Sequence, residues 1–86
     1  MVILQFYTMK NGEYNIFLKE FGKNLRSIRK KHGMTMEAVA NEAEIEYRQY
    51  ARIERGEVNT SIITLLRISR ALKVDLFDFF IYLKVQ

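Results

Sequence analysis

Hydrophobic residues between about residue 15 and residue 32 recur every three or four positions. Phe17, Phe21, Leu25 and Ile28 fall on one side of a helix at this spacing. The segment ends in basic residues directly before Gly33. Cations complement the dipole at a helix C-terminus, and glycine suits the left-handed position just beyond it. The pattern therefore predicts a first amphipathic helix over residues 15–32.

The pattern of residues 36–55 predicts two short helices joined by a turn. We expect the first over residues 36–43, with Thr35 as its N-cap, the turn over residues 44–46, and the second over residues 47–55. Apolar side chains that would join the two are Val39, Ala43, Ile45, Tyr50 and Ile53. Helices this short must pack on neighbouring helices to be stable. The arrangement is typical of a helix-turn-helix, whose second helix enters the major groove of DNA.

The C-terminal part of the chain predicts two more helices. Ser61 can cap the first of them, and its predicted inward stripe consists of Ile62, Leu65, Leu66, Ser69 and Leu72. Asp75 can cap a last helix over residues 76–82. The predicted fold class is therefore all-α, a bundle of about five helices with an extended N-terminal arm.

The first eight residues are apolar and favour extended backbone, so they predict a short strand, followed by a turn at residues 9–12. The stretch is too short for a membrane helix, which needs about 20 apolar residues. It also lacks the basic start and cleavage site of a signal peptide. We divide the chain into an arm, residues 1–14, and one domain, residues 15–86. Met9 is an alternative natural start.

Composition narrows the chemistry that this domain can perform. The chain has 86 residues, no cysteine, one histidine and a formal net charge of +4. It therefore lacks disulfides, thiol nucleophiles and cysteine zinc ligands, and it has no glycine-rich phosphate loop. We expect no enzyme activity, metal, cofactor, small-molecule ligand or membrane association. The positive charge suits a polyanionic partner in the cytoplasm.

Arg29 and Glu54 stand out as charges at the edge of the predicted core. Arg29 lies one turn after Leu25, and Glu54 follows Ile53. A charge that faces a core normally needs a partner, so the two are predicted to form a partly buried ion pair between the first and third helices. The alternative is two solvated surface charges.

Residues 21–80 carry a specific order of motifs. These are LRSIRKKHGMT, EAVA, RIERGE and NTSIITLLRISRALKVDLFDFF. In this order the segment resembles the phage repressor/Cro-type helix-turn-helix family, and its short length is similar to that of restriction–modification controller proteins. The resemblance implies a repressor-like bundle, double-stranded DNA as partner, and transcription regulation. By position, it also implies that Arg29 and Glu54 correspond to the family's arginine–glutamate pair.

The sequence departs from the family pattern at the start of the helix over residues 36–43 and at both ends of the turn that follows it. Met36 replaces a glutamine that can touch DNA, so only its backbone N–H remains available there. Glu44 replaces the usual glycine, which would cost about 1 kcal/mol if the backbone is left-handed. Glu46 replaces the usual serine. Together with Glu42, these acids place negative charge beside the predicted DNA-binding face.

The third helix carries the residues predicted to read bases. Its first turn enters the groove, and Arg52 lies four residues after Arg48 on the same face. The predicted base contacts are Tyr47, Arg48, Gln49 and Arg52. Arginine paired with guanine is worth about 1–3 kcal/mol of discrimination. The predicted phosphate contacts are the backbone of Met36, then Arg55, Asn59, Thr60 and Ser61. The alternatives are a solvated helix face for the arginines and simple helix capping for residues 59–61.

The apolar C-terminus predicts a homodimer. A single helix in a small domain cannot bury both of its faces internally, so one face is expected to meet a second subunit. The predicted interface residues are Phe77, Phe80, Ile81 and Leu83. Two half-sites about 34 Å apart would then form an inverted-repeat operator. The alternatives are a larger internal core, and an antitoxin-like protein-interaction module with weak or no DNA binding.

Overall fold

The computed structural model describes residues 14–81, which form five helices and no strand. The helices are α1 (Tyr14–Lys31), α2 (Met36–Ala43), α3 (Tyr47–Glu54), α4 (Ile62–Leu72) and α5 (Asp78–Ile81). The all-α prediction is confirmed. The arm predicted over residues 1–14 lies almost wholly outside the described residues, as does Leu83.

The hydrophobic stripe of α1 forms one side of the core. Phe21 and Leu25 are buried, and Phe17 and Ile28 pack against them while remaining partly exposed. The helix ends at Gly33, whose φ of 67° is left-handed, and the N–H of Gly33 donates to the carbonyl of Lys30 at 3.0 Å. The first helix and its glycine end are thus confirmed.

The second and third helices meet through a turn with a left-handed residue. Thr35 caps α2, because its hydroxyl accepts the N–H of Ala38 at 3.1 Å. Glu44 ends α2 with φ 58° and ψ 44°, so the non-glycine residue does occupy the strained position. Core side chains from both helices meet behind this turn: Val39, Ala40, Ala43, Tyr50 and Ile53.

The inward face predicted for α4 is partly wrong. Ile62 is 72% exposed and Leu66 is 41% exposed, whereas Ile68, which the pattern omitted, is fully buried. The buried side is centred on Leu65, Ile68 and Leu72, spaced three and four residues apart. Leu66 lies about 100° around the helix from Leu65, so it cannot face the same neighbours. Ser69 and Leu72 are buried as predicted.

The last helix is shorter at its start than the predicted range of 76–82. Asp75 accepts the N–H of Phe77 at 3.0 Å, and successive backbone turns lead into α5 only at Asp78. Phe79 is fully buried, with its ring edge-to-face against Phe21 at 5.9 Å. The Asn24 side chain donates to the carbonyls of Asp78 and Phe79. This polar link fastens α5 to α1.

Candidate nucleic-acid interface

The outer face of α3 is polar and its inner face is buried. Tyr50, Ala51 and Ile53 are at most 3% exposed. The four residues predicted to contact bases are all on the exposed side of the helix: Tyr47, Arg48, Gln49 and Arg52. Tyr47 is 48% exposed. The arrangement presents two arginines and two further hydrogen-bonding side chains on one short helix.

A buried ion pair holds α3 against α1. Arg29 donates from Nε to Glu54 Oε2 at 2.8 Å and from Nη2 to Oε1 at 2.7 Å. Its Nη1 donates to the carbonyl of Met34 at 2.9 Å. Both residues are 8% exposed, so the predicted pair is confirmed and two solvated charges are excluded. The hydrogen bond to Glu54 raises the pKa of Arg29, which stays charged.

Tyr50 lies beside this ion pair with its hydroxyl buried. The residue is fully buried, as the sequence predicts, and its hydroxyl makes no hydrogen bond within residues 14–81. Burial raises the pKa of Tyr50, and the negative charge of nearby Glu54 raises it further. A neutral phenol is therefore held next to a charged pair.

The residues predicted to contact phosphates lie at the ends of helices or in the loop before α4. Met36 begins α2, whose first-turn N–H groups have no partners within a helix. Ser61 caps α4, accepting the N–H of Thr64 at 3.0 Å and donating its hydroxyl to Thr64 Oγ1 at 2.9 Å. Its side chain therefore has the capping role that was the alternative. Asn59 is exposed and Thr60 half-buried in the loop before α4.

Glu57 is a residue that the sequence analysis missed. Arg55 donates to it from Nε at 2.9 Å and from Nη2 at 3.3 Å, and Arg52 Nε lies 3.9 Å from its Oε1. Arg55 is therefore the main reason that the pKa of the Glu57 carboxyl is lowered. One carboxylate thus contacts a predicted base-reading arginine and a predicted phosphate-binding arginine. The visible signal was an acid two residues after Arg55 in the RIERGE motif.

Two of the three acidic residues in or beside the turn share a cleft with arginines of α4. Glu42 and Glu44 share an open cleft of about 330 Å³ with Arg67 and Arg70. Glu46 is exposed at the start of α3 and makes no side-chain cap. Of the three acids, Glu46 directly precedes α3. The N-terminal end of this helix is the end predicted to enter the groove.

The C-terminal apolar residues differ in their exposure. Phe77 is 71% exposed and Ile81 is 56% exposed. Phe80 is 36% exposed and stacks on Phe17, with ring centroids 6.5 Å apart. A second exposed apolar set lies on α4 and consists of Ile62, Ile63 and Leu66. The chain therefore presents apolar surface on both of its last two described helices.

The fold, the turn and the position of the ion pair define a helix-turn-helix protein. Residues 25–79 match the helix-turn-helix family, of Cro/C1 type, and the chain belongs to that family. Membership of this family supports a DNA-binding transcription regulator.

Among solved structures, the chain is similar to the restriction-modification controller protein C.AhdI from Aeromonas hydrophila. The two share 28% sequence identity and superpose with a TM-score of 0.74, over 76% of this chain and 98% of that chain. No curated protein sequence matches this chain significantly.

Residues 14–81 contain no group of three or more His, Cys, Asp or Glu side chains placed to hold a metal ion. Over the same range, none of the helices has the length and apolar character needed to cross a membrane.

Proposed function

We propose that this chain binds an inverted-repeat operator as a homodimer, with α3 of each subunit in the major groove. The observation that carries the proposal is the exposed face of α3, where Arg48 and Arg52 stand one turn apart. The Arg29–Glu54 pair holds this helix at a fixed position on α1. A rigid support matters because base contacts require a defined helix orientation.

Each of the four side chains on the exposed face of α3 has a chemical role in this proposal. Arg48 and Arg52 donate to guanine O6 and N7, the commonest specific contact in the major groove. Tyr47 packs on a thymine methyl or donates to a phosphate. Gln49 is a weaker candidate for base recognition than the two arginines, and its amide group suits hydrogen bonds to adenine.

The phosphate contacts fix the protein's register on the duplex. The N–H groups of Met36 and Glu37 suit an anion because they lie at the positive end of α2, while the N–H of Ala38 is already capped by Thr35. Arg55, Asn59 and Thr60 would contact the strand on the other side of α3. Ser61 contributes through the helix start that it caps, since its hydroxyl is already engaged.

Dimerisation would use the exposed face of α5. Phe77 and Ile81 are the most exposed apolar residues of that segment, and Phe80 connects them to the core of their own subunit. Leu83, which is predicted for the same interface, lies outside the described residues. A dimer doubles the phosphate contacts and aligns two recognition helices on half-sites about 34 Å apart. As a DNA-binding regulator, the protein would act in the cytoplasm.

A second candidate function is an antitoxin-like protein-interaction module on the same fold. The exposed Phe77 and Ile81 favour it, because large exposed apolar residues often mark protein interfaces. In that case the aromatic surface would bind another protein, and DNA binding would be weak or absent.

Selection of random duplex DNA by the purified protein at moderate salt tests the proposal. Enrichment of an inverted repeat is the expected result, and the Arg48→Ala, Arg52→Ala variant should lose it. The matched control is Arg67→Ala, Arg70→Ala, which removes the same charge from α4 and should retain the enrichment. No enrichment would favour the protein-interaction module. Enrichment unchanged in the α3 variant would instead contradict the assignment of Arg48 and Arg52 as base-reading residues.

A further inference from the structure

Three basic residues form a line along the exposed side of α1. Lys19, Lys23 and Arg26 are spaced four and three residues apart, which places them on one face of the helix. All three are exposed. None belongs to the hydrophobic stripe, so their position is not required by the core.

The basic line forms one wall of an open cleft. The cleft has a volume of about 570 Å³ and lies between α1 and the ends of α2 and α3. Arg29 and Glu54 also line it, and so do Met36 and Arg55. The last two are predicted phosphate contacts, so the cleft is continuous with the proposed DNA-binding face.

The charges of this cleft do not balance. Five cations and two carboxylates line it. Glu54 is neutralised by Arg29, and Glu57 is held by Arg55. Lys19 and Arg26 have no ion pair within 4.0 Å among the described residues, and Lys23 approaches only Glu20, at 3.4 Å, on the surface. Such exposed pairs are weak, worth about 0–1 kcal/mol. Lys19, Lys23 and Arg26 therefore supply the positive charge that the carboxylates of the cleft do not neutralise.

The length of the basic line matches a short run of a nucleic-acid strand. Seven residues of α-helix rise about 10 Å. Phosphates of one DNA strand follow each other by about 3.4 Å along the duplex axis, so the line would span about three of them if α1 lies along that axis. A polyanion with this repeat fits the cleft better than a single anion, which would leave cations unpaired.

We propose that this cleft binds the sugar–phosphate backbone of the DNA that flanks the half-site, beyond the base pairs read by α3. The inference rests on the proposed function, since it takes the cleft as an extension of the same interface. Lys19, Lys23 and Arg26 contact flanking phosphates and add affinity without reading sequence. The site lengthens the duplex that each subunit covers.

The test compares salt dependence on duplexes with and without flanks. The variant is Lys19→Gln, Lys23→Gln, Arg26→Gln, and the matched control is Arg67→Gln, Arg70→Gln, Lys73→Gln. Binding is measured on the selected operator trimmed to its inverted repeat, on the same operator with about eight flanking base pairs at each end, and on a random-sequence duplex of about 30 base pairs. Melting temperatures verify that both variants fold.

The flanked and random-sequence duplexes should respond to the α1 variant, and the trimmed duplex should not. For each subunit bound, loss of three phosphate contacts makes the slope of log K against log salt shallower by about 2.7. Affinity at low salt should fall about tenfold or more, while the control keeps the slope of the unmodified protein.

Several results would overturn the inference. These are unchanged slopes in the α1 variant, an equal loss on the trimmed duplex, an equal loss in the control, or no binding of the unmodified protein to any duplex. A different result would overturn only the proposed function: no operator is enriched, yet the α1 variant still lowers the slope on random-sequence DNA. The two failures are therefore distinguishable.

Discussion

Gly22 of α1 packs directly against the backbone carbonyl of Glu54 at the end of α3. A methyl group on Gly22 would overlap the carbonyl oxygen and lie 2.9 Å from its carbon. The clash is with backbone, which cannot rotate away, so it must push the helices apart. The close approach also brings α1 and α3 near enough for the Arg29–Glu54 pair.

We therefore expect Gly22→Ala to destabilise the protein by about 1–3 kcal/mol or more, although alanine favours helix. Gly33→Ala is the matched control, because Gly33 has a left-handed φ but nothing within 4 Å of an added Cβ. Its cost should be only the backbone strain, about 1 kcal/mol. Urea denaturation measures both. An equal or smaller loss for Gly22→Ala would contradict the close packing.

The Arg29–Glu54 pair should show strong coupling in a double-mutant cycle. Glu54→Leu leaves the Arg29 guanidinium buried and unpaired, and Arg29→Met does the same to the carboxylate. Each single change should cost about 3–5 kcal/mol, whereas the double change should cost much less than the sum. The free energy of unfolding of all four proteins measures this. Additive losses would show that the pair contributes no mutual stabilisation.

The Tyr50 hydroxyl predicts a specific dependence of stability on alkaline pH. Its folded pKa is raised above that of the unfolded chain, about 10. The folded state therefore favours the neutral phenol, and this contribution is intact below pH 10 and lost as the pH rises above that value. Tyr50→Phe should remove this part of the alkaline destabilisation.

At neutral pH, Tyr50→Phe should be neutral or stabilising by about 1 kcal/mol, because it deletes a buried hydroxyl without a hydrogen bond. Tyr47→Phe is the control, since it removes the same hydroxyl from an exposed tyrosine of the same helix. Stability is compared by urea denaturation from pH 7 to about pH 11. A marked loss at neutral pH would mean that the hydroxyl has a stabilising partner.

The sequence predicted the positions of the helices better than it predicted which side of each helix is buried. From residue 19 to the end of α1, the only large apolar residues are Phe21, Leu25 and Ile28, which form one stripe, so its buried side was clear. In α4 apolar residues occupy most of the helix, and the choice of stripe depended on the neighbours. Ile62 and Leu66 are apolar but exposed, and only the three-dimensional contacts reveal that Ile68 faces the core.

The same distinction holds for the candidate site. The family motif located the Arg29–Glu54 pair and the outer face of α3, because both follow from helix positions. The contact of Glu57 with two arginines depends on how the chain turns after Gly56, and the Asn24 link depends on where α5 ends. Neither follows from helical periodicity.

The dimer proposal predicts that Phe77→Glu yields a monomer. Phe77 is 71% exposed, so the change should leave the fold of the subunit intact while placing charge in the proposed interface. Ile16→Glu is the control, because Ile16 is a similarly exposed apolar residue on α1. Sedimentation equilibrium measures the mass of each protein. A dimer that persists in Phe77→Glu would exclude this face of the C-terminal segment from the interface.

Glu57 competes with DNA for two arginines, so its removal should strengthen DNA binding. Arg55 is held by two hydrogen bonds, and Arg52 lies 3.9 Å from the same carboxylate. In the proposed complex, guanine must replace the contact of Arg52 and a phosphate must replace those of Arg55, and the carboxylate also repels the DNA backbone. Glu57→Gln removes that repulsion and frees both guanidinium groups, which should raise affinity several-fold and steepen the salt dependence.

Glu42→Gln is the matched control for this change, because it removes one exposed negative charge on α2 from a residue that forms no ion pair with either arginine among residues 14–81. Fluorescence anisotropy with the selected operator, at several salt concentrations, measures both variants. The gain should shrink in an Arg55→Gln background, where Glu57 has lost its main partner. If Glu42→Gln raises affinity equally, the effect is one of net charge. If the gain persists without Arg55, it does not arise from release of that side chain.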